Sequence, residues 1–178
     1  MGRQKDGSIA EGTPWPDEMH EHFMHEALKE AKKAAHRGEV PVGAILVSDD
    51  HRIIARAHNL TITLNDPTAH AEILALRQGA EKTGNYRLNK TRLYVTLEPC
   101  AMCAGAMIWA RIDMLIFGAW DDKAGACGSM LDLPAAPGVN HRFQVVPGVL
   151  AEQSARLLQA FFHGRRQKDR SGEVPKRP

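Results

Sequence analysis

An α/β fold with about five strands is predicted by three features of the chain. Short apolar runs of strand length alternate with segments of helical periodicity, one pair of strand-like runs is joined by a tight polar turn, and another pair is separated by a helix-length segment. From the N-terminus, residues 1–16 are polar, contain Gly and Pro without periodicity, and are expected to be loose. A helix is expected from Asp17, where Phe23, Met24, Ala27, Leu28, Ala31 and Ala35 recur at helical spacing and Gly38 supplies the stop. Residues 44–47 and 53–57 read as strands flanking a hairpin turn at Ser48-Asp49-Asp50-His51. Asp66-Pro67 reads as an N-cap followed by proline at the first helical position, ahead of the apolar-rich residues 69–76. Residues 92–97 then form a strand, 100–110 a helix opened by Pro99, and 114–117 a strand, together a right-handed βαβ unit. A strand at 143–146 and a helix over about 150–162 complete the plan. With 178 residues and 43% apolar content the chain can bury one core, which places a single domain at 17–163 and leaves 164–178 as a basic tail.

The chemistry is concentrated in His70-Ala71-Glu72 and Pro99-Cys100-Ala101-Met102-Cys103. His70, Cys100 and Cys103 supply three ligands of the types zinc prefers. A structural zinc site normally closes its tetrahedron with four protein groups, whereas a catalytic one uses three and leaves a position for water. The remaining cysteine, Cys127, has no partner at C-x-x-C spacing and reads as a small buried or loop thiol. An imidazole and two thiolates nearly balance the dication, which still acidifies water enough to supply hydroxide near neutral pH. Glu72 is then a spare carboxylate for proton transfer. If both motifs open helices, rim side chains from two first turns converge on one metal, and the positive helix end favours thiolates at Cys100 and Cys103. Taken singly, the C-x-x-C pair is equally a redox pair or half of a structural site, and Glu72 a solvated helix carboxylate. Their combination argues for a catalytic metal.

The pairing of H-x-E with P-C-x-x-C is the signature of zinc nucleobase deaminases, and the chain resembles one family within that superfamily. Glu39-Val40-Pro41-Val42-Gly43-Ala44, Asp66-Pro67-Thr68-Ala69-His70-Ala71-Glu72, Tyr94-Val95-Thr96-Leu97-Glu98-Pro99-Cys100 and Cys103-Ala104-Gly105-Ala106-Met107-Ile108 are similar to segments of the bacterial tRNA-specific adenosine deaminases, over about residues 24–166. The resemblance implies a three-layer α/β/α cytidine-deaminase-like fold with a mixed central sheet, one Zn2+ per subunit, a homodimer, and deamination of adenosine to inosine at the wobble position of a tRNA anticodon loop. It also implies base contact by Asn59 and RNA-facing roles for Asp121, Lys123, Asn140, Phe162, Arg165 and Arg166. In that reaction water activated by zinc adds to C6 of adenine, while Glu72 moves a proton to N1 and later protonates the departing ammonia. An anticodon loop presents unpaired bases, which lowers the cost of turning one out into a pocket. Trp120 stands where the family often has arginine, and His163-Gly164 interrupts a more basic stretch; both bear on RNA contacts rather than on zinc chemistry.

Net charge is only +2, so a polyanion would be met by a local patch. One lies at residues 163–178, where Arg165, Arg166, Lys168, Arg170, Lys176 and Arg177 face only Asp169 and Glu173. No apolar core of a secretory signal follows Met1, no run approaches membrane-spanning length, and two of three cysteines are claimed by metal, so a cytoplasmic location is expected. Two rival functions carry the same residues: deamination of a free nucleobase or nucleoside of cytosine or guanine type, and a non-enzymatic zinc-stabilised RNA-binding module, which would need a fourth protein ligand. Phe162 likewise reads either as a base-stacking side chain or as a core residue.

Overall fold

The computed structural model describes residues 15–171, so the expected loose N-terminal segment lies outside the described residues except for Trp15 and Pro16, as do tail residues 172–178. Five strands, β1 (Gly43–Ser48), β2 (Ile53–His58), β3 (Thr91–Leu97), β4 (Met114–Ala119) and β5 (Gln144–Val146), form one sheet in the order β2-β1-β3-β4-β5. β1 is antiparallel to both β2 and β3, whereas β3, β4 and β5 run parallel, so the sheet is mixed as expected. Helices α1 (Asp17–His36) and α5 (Ala151–Ser171) lie on one face, and α3 (Ala71–Thr83) and α4 (Ala101–Ala110) on the other. A single turn, α2 (Thr61–Leu64), which has no periodic signal in the sequence, links β2 to α3.

Period-two alternation assigns each central strand residue to one layer. Ala44, Leu46, Leu93, Val95, Leu115 and Phe117 enter the core beneath α3 and α4, while Ile45, Val47, Tyr94 and Ile116 meet Phe23, Met24 and Ala27 of α1. A sheet covered on both faces has near-continuous apolar strands, and five of the six residues of β1 are buried. On α1 it is Ala34, not the expected Ala35, that completes the buried stripe. Trp15 also packs on this layer, with the Arg92 guanidinium 3.8 Å from its ring centre.

α5 runs to Ser171 rather than ending near Phe162. Gly164 costs roughly 1 kcal/mol in a helix interior, but (i, i+4) pairs span it. The Arg165 guanidinium sits 5.7 Å from the Phe161 ring centre, and His163 and Gln167 are 2.8 Å apart. The basic residues at 165 and 166 are therefore carried on a continuous helix.

α1 approaches β1 so closely that a Cβ on Gly43 would lie 2.2 Å from the Ala27 carbonyl oxygen and 2.3 Å from the Ala31 nitrogen, both backbone atoms that cannot turn aside. Gly164, by contrast, has nothing within 4 Å of that position. Gly43→Ala is expected to destabilise by about 1–3 kcal/mol or more, and Gly164→Ala to stabilise by about 0.5–1 kcal/mol. Urea unfolding of the two variants beside the wild type checks the opposite signs.

Candidate active site

The carboxyl ends of β2, β3 and β4 and the amino end of β1 share one edge of the sheet, and both motifs gather there. Neither proline begins a helix. α3 starts at Ala71 with His70 as its N-cap, and α4 at Ala101 with Cys100 as its N-cap; both caps are extended, with φ −75° and −73°. Asp66 instead closes a local turn, its Oδ1 accepting from the backbone N–H and the hydroxyl of Thr68 at 2.7 Å each. The shift resolves a steric problem. Residues two apart on a helix diverge, but His70 stands outside the helix and turns toward the metal ligands, while Glu72 occupies the first turn.

His70 Nδ1 lies 3.7 Å from Cys100 Sγ and 3.5 Å from Cys103 Sγ, and the two sulfurs are 3.7 Å apart. A tetrahedral ion with Zn–S near 2.3 Å and Zn–N near 2.05 Å requires S···S edges of about 3.8 Å and N···S edges of about 3.6 Å, so these atoms fit zinc. Among the described residues no other group of three His, Cys, Asp or Glu side chains can hold a metal. Cys127 is a buried thiol whose pKa is pushed up by burial, and it is not one of the clustered ligands.

Charge is unevenly shared in this cluster. The bond from Cys103 lowers the Cys100 thiol to about 4. That same bond, with burial and the nearby Glu72 carboxyl, raises Cys103 well above the usual thiol range, and the Cys100 contact raises His70. Glu72 is 4% exposed, burial pushes its pKa up, and its Oε2 has no hydrogen-bond partner. A buried carboxyl with an open oxygen beside three metal ligands is a group left available for protons.

Two further carboxylates hold the walls of the site. Glu39 accepts from the Thr61 hydroxyl and from the N–H groups of Ile62 and Thr63, pinning α2. Glu98, 2% exposed, accepts from Asp121 N–H at 3.1 Å, Cys127 N–H at 3.0 Å and Ser129 N–H at 3.1 Å. A Cβ on Gly125 would stand 2.2 Å from Glu98 Oε2, so the loop closes around the carboxylate only with glycine there. The sequence assigns neither acid a role, although Glu98 directly precedes Pro99-Cys100 and Glu39 directly precedes the apolar residues that lead into β1. Asn59 is buried, and its Oδ1 accepts from the Ala71 N–H at 2.9 Å, which holds the start of α3.

Residues 17–119 match the family model described as the cytidine and deoxycytidylate deaminase zinc-binding region. The tRNA-specific adenosine deaminase of Haemophilus influenzae is 51% identical over 150 residues, 84% of this chain and 87% of that protein. The chain belongs to this family of zinc-binding deaminases, in the branch of the tRNA-specific adenosine deaminases. A solved structure from studies of A-to-I editing by tRNA:A34 deaminases at the wobble position superposes with a TM-score of 0.75 at 49% identity, covering 77% of this chain and 99% of that one. Guanine deaminase from Bacillus subtilis aligns with a TM-score of 0.56 at 33% identity, covering 81% and 94%.

The residues that the family resemblance assigns to RNA come from the loop after β4, the loop before β5 and α5. Asp121 is half-buried, and its Oδ1 accepts from the N–H groups of Lys123 and Ala124, so part of its carboxylate shapes its own loop. Lys123 and Asn140 are exposed in loops, and Phe162 is 42% exposed on α5, which excludes a core role for it within the monomer. Arg166 is exposed, and Arg165 is half-buried beside Phe161.

Zinc requires thiolates and a neutral imidazole, yet without a cation Cys103 keeps its proton and His70 gains affinity for one. Zinc uptake at pH 7 by folded, metal-stripped protein is therefore expected to release about one proton or more, and to tighten as pH rises. Calorimetry in buffers of different ionisation enthalpy measures this release. A value near zero would contradict the protonated Cys103.

Proposed function

We propose that this protein hydrolytically deaminates adenosine to inosine at the wobble position of a tRNA anticodon loop. The observation that carries the reading is the buried Glu72 carboxyl, with an oxygen unpartnered, against the His70, Cys100 and Cys103 ligand set of a tRNA-specific adenosine deaminase family member. His70, Cys100 and Cys103 would hold zinc, which when bound would acidify water enough to supply hydroxide near neutral pH. Glu72 takes up the proton that water gives up and delivers it to N1 as C6 becomes tetrahedral; it then takes the proton of the hydroxyl now on C6 and passes it to the amine, so that ammonia leaves and C6 keeps a carbonyl. Its raised pKa suits it to hold a proton between these steps. Asn59 has its oxygen engaged by Ala71, so it offers the purine its Nδ2 group, a donor for a ring nitrogen. Asp121, Lys123, Asn140, Phe162, Arg165 and Arg166 meet the RNA around the pocket. Arg165 and Arg166 grip phosphates from the last turns of α5. No helix among the described residues is long and apolar enough to cross a membrane.

The family's homodimer has support in α4. Met102, Gly105, Ala106 and Trp109 fall at i, i+3, i+4 and i+7 on one face, Trp109 is 70% exposed, and a Cβ on Gly105 would meet nothing within 4 Å. An apolar stripe open to water beside the site suits a second copy. Trp109→Glu is expected to shift wild-type dimers to monomers in sedimentation velocity, and a wild type already monomeric at micromolar concentration would refute this interface.

Deamination of an anticodon stem-loop and of free adenosine to inosine, of cytidine to uridine and of guanine to xanthine separates the readings, since an RNA-directed enzyme needs the loop and a free-base enzyme does not. Glu72→Ala is expected to retain zinc and lose about 10²–10⁴-fold in single-turnover rate on the stem-loop. Removing Arg165 and Arg166 together is expected to flatten the log–log salt dependence of binding by roughly 0.7 for each phosphate no longer neutralised. Efficient guanine turnover without stem-loop activity would instead favour the free-base reading.

A further inference from the structure

Trp120 is a large aromatic side chain left open at the rim of the site. It follows β4 directly. Ala119 is paired with Leu97 of β3, and its carbonyl accepts the Glu98 N–H at 2.8 Å, so Trp120 emerges beside Glu98-Pro99, immediately before the Cys100 ligand. Trp120 is 47% exposed, whereas its support is fully buried: the Phe117 ring stands 4.8 Å from it at 85°. Gly128 lies close to the indole as well, because a Cβ added there would stand only 3.1 Å from Trp120 Cζ3. On both sides of that contact the loop is held by Glu98, through the N–H groups of Asp121, Cys127 and Ser129. The indole is thus fixed before any ligand arrives, although burying it contributes little more to the core than its edge. Fixed aromatic surface beside a pocket loses little conformational entropy on binding. Neighbouring Asp121 and Asp122 disfavour a phosphate at this point, while the face of a base carries no charge to repel.

We propose that Trp120 is a stacking platform for a nucleobase next to the one deaminated, and hence a residue that sets how this enzyme holds the loop of its RNA. The inference rests on the RNA-directed reading above. Every base has a π-face, so the platform tolerates sequence and adds no salt dependence. In this it differs from the arginine often present at this position in the family, which would bring a charge to the same spot.

The test uses wild-type, Trp120→Ala, Trp120→Phe and Trp120→Arg zinc-loaded proteins with an anticodon stem-loop carrying the wobble adenosine, and with versions in which each other loop nucleotide in turn is abasic. Trp120→Ala is expected to weaken stem-loop binding about 5- to 150-fold, with single-turnover rate at saturation unchanged within a few-fold, and Trp120→Phe to recover most of the affinity. One abasic position is expected to cost the wild type a similar factor and to cost Trp120→Ala nothing more, the coupling that marks a direct contact. Trp120→Arg is expected to steepen the salt slope by up to roughly 0.7. Equal affinity of Trp120→Ala and wild type, or a weakening unrelated to any abasic position, overturns the platform while leaving the deaminase reading intact. A weakening that disappears once protein concentration restores a dimer assigns the indole to a second copy and overturns it too. A wild type that forms no inosine in any stem-loop overturns both.

Discussion

Helices α3 and α4 begin at the same edge of the sheet, each with a metal-ligating residue as its N-cap, and the chemistry depends on that convergence. An N-cap residue is extended while the chain after it is helical, so His70 and Cys100 face inward from outside their helices as Glu72 and Cys103 follow from the first turns. The positive helix ends favour thiolates and a carboxylate at this point. The parallel β3-α4-β4 crossover delivers Cys100 immediately beyond β3, and the antiparallel β1 brings Gly43 and Val42 to the same edge, where the Val42 carbonyl holds Asn59.

Three glutamates are buried around this edge, and their fates show that burial alone does not decide a charge. Burial raises the pKa of each. Glu39 and Glu98 nevertheless end below the ordinary carboxylate range, because Thr61, Ile62 and Thr63 donate to one and Ser129, Asp121 and Cys127 to the other. Both are anions that organise backbone. Glu72 has no such set of donors and ends above that range, with an oxygen unpartnered. Two acids therefore organise the backbone at this edge, and the third keeps an oxygen open beside the metal ligands.

The rim is less uniform than the centre. α5 carries Arg165 and Arg166 on a continuous helix, α4 turns Met102 and Trp109 outward, and the β4 loop presents Trp120 on a buried aromatic support. These surfaces differ in the interactions they offer, cationic, apolar and π-stacking.

The ligand set was legible in the sequence, as was the carboxyl beside it, because His70, Glu72, Cys100 and Cys103 are chemical types whose short spacing is meaningful wherever helices start. The strands were legible too, since β1, β3 and β4 carry apolar runs bounded by polar turns. Tertiary structure alone decided where the helices begin. Pro67 and Pro99 looked like first helical residues, but the Asn59 carboxamide takes the Ala71 N–H, and the Pro99 carbonyl accepts the Ala126 N–H, fixing both starts from outside the local segment. Only the fold also revealed the work of Glu39 and Glu98, whose partners lie 22–31 residues along the chain. A metal ligand is recognised by its own chemistry; a carboxylate that clamps a loop is recognised only by the N–H groups that folding brings to it.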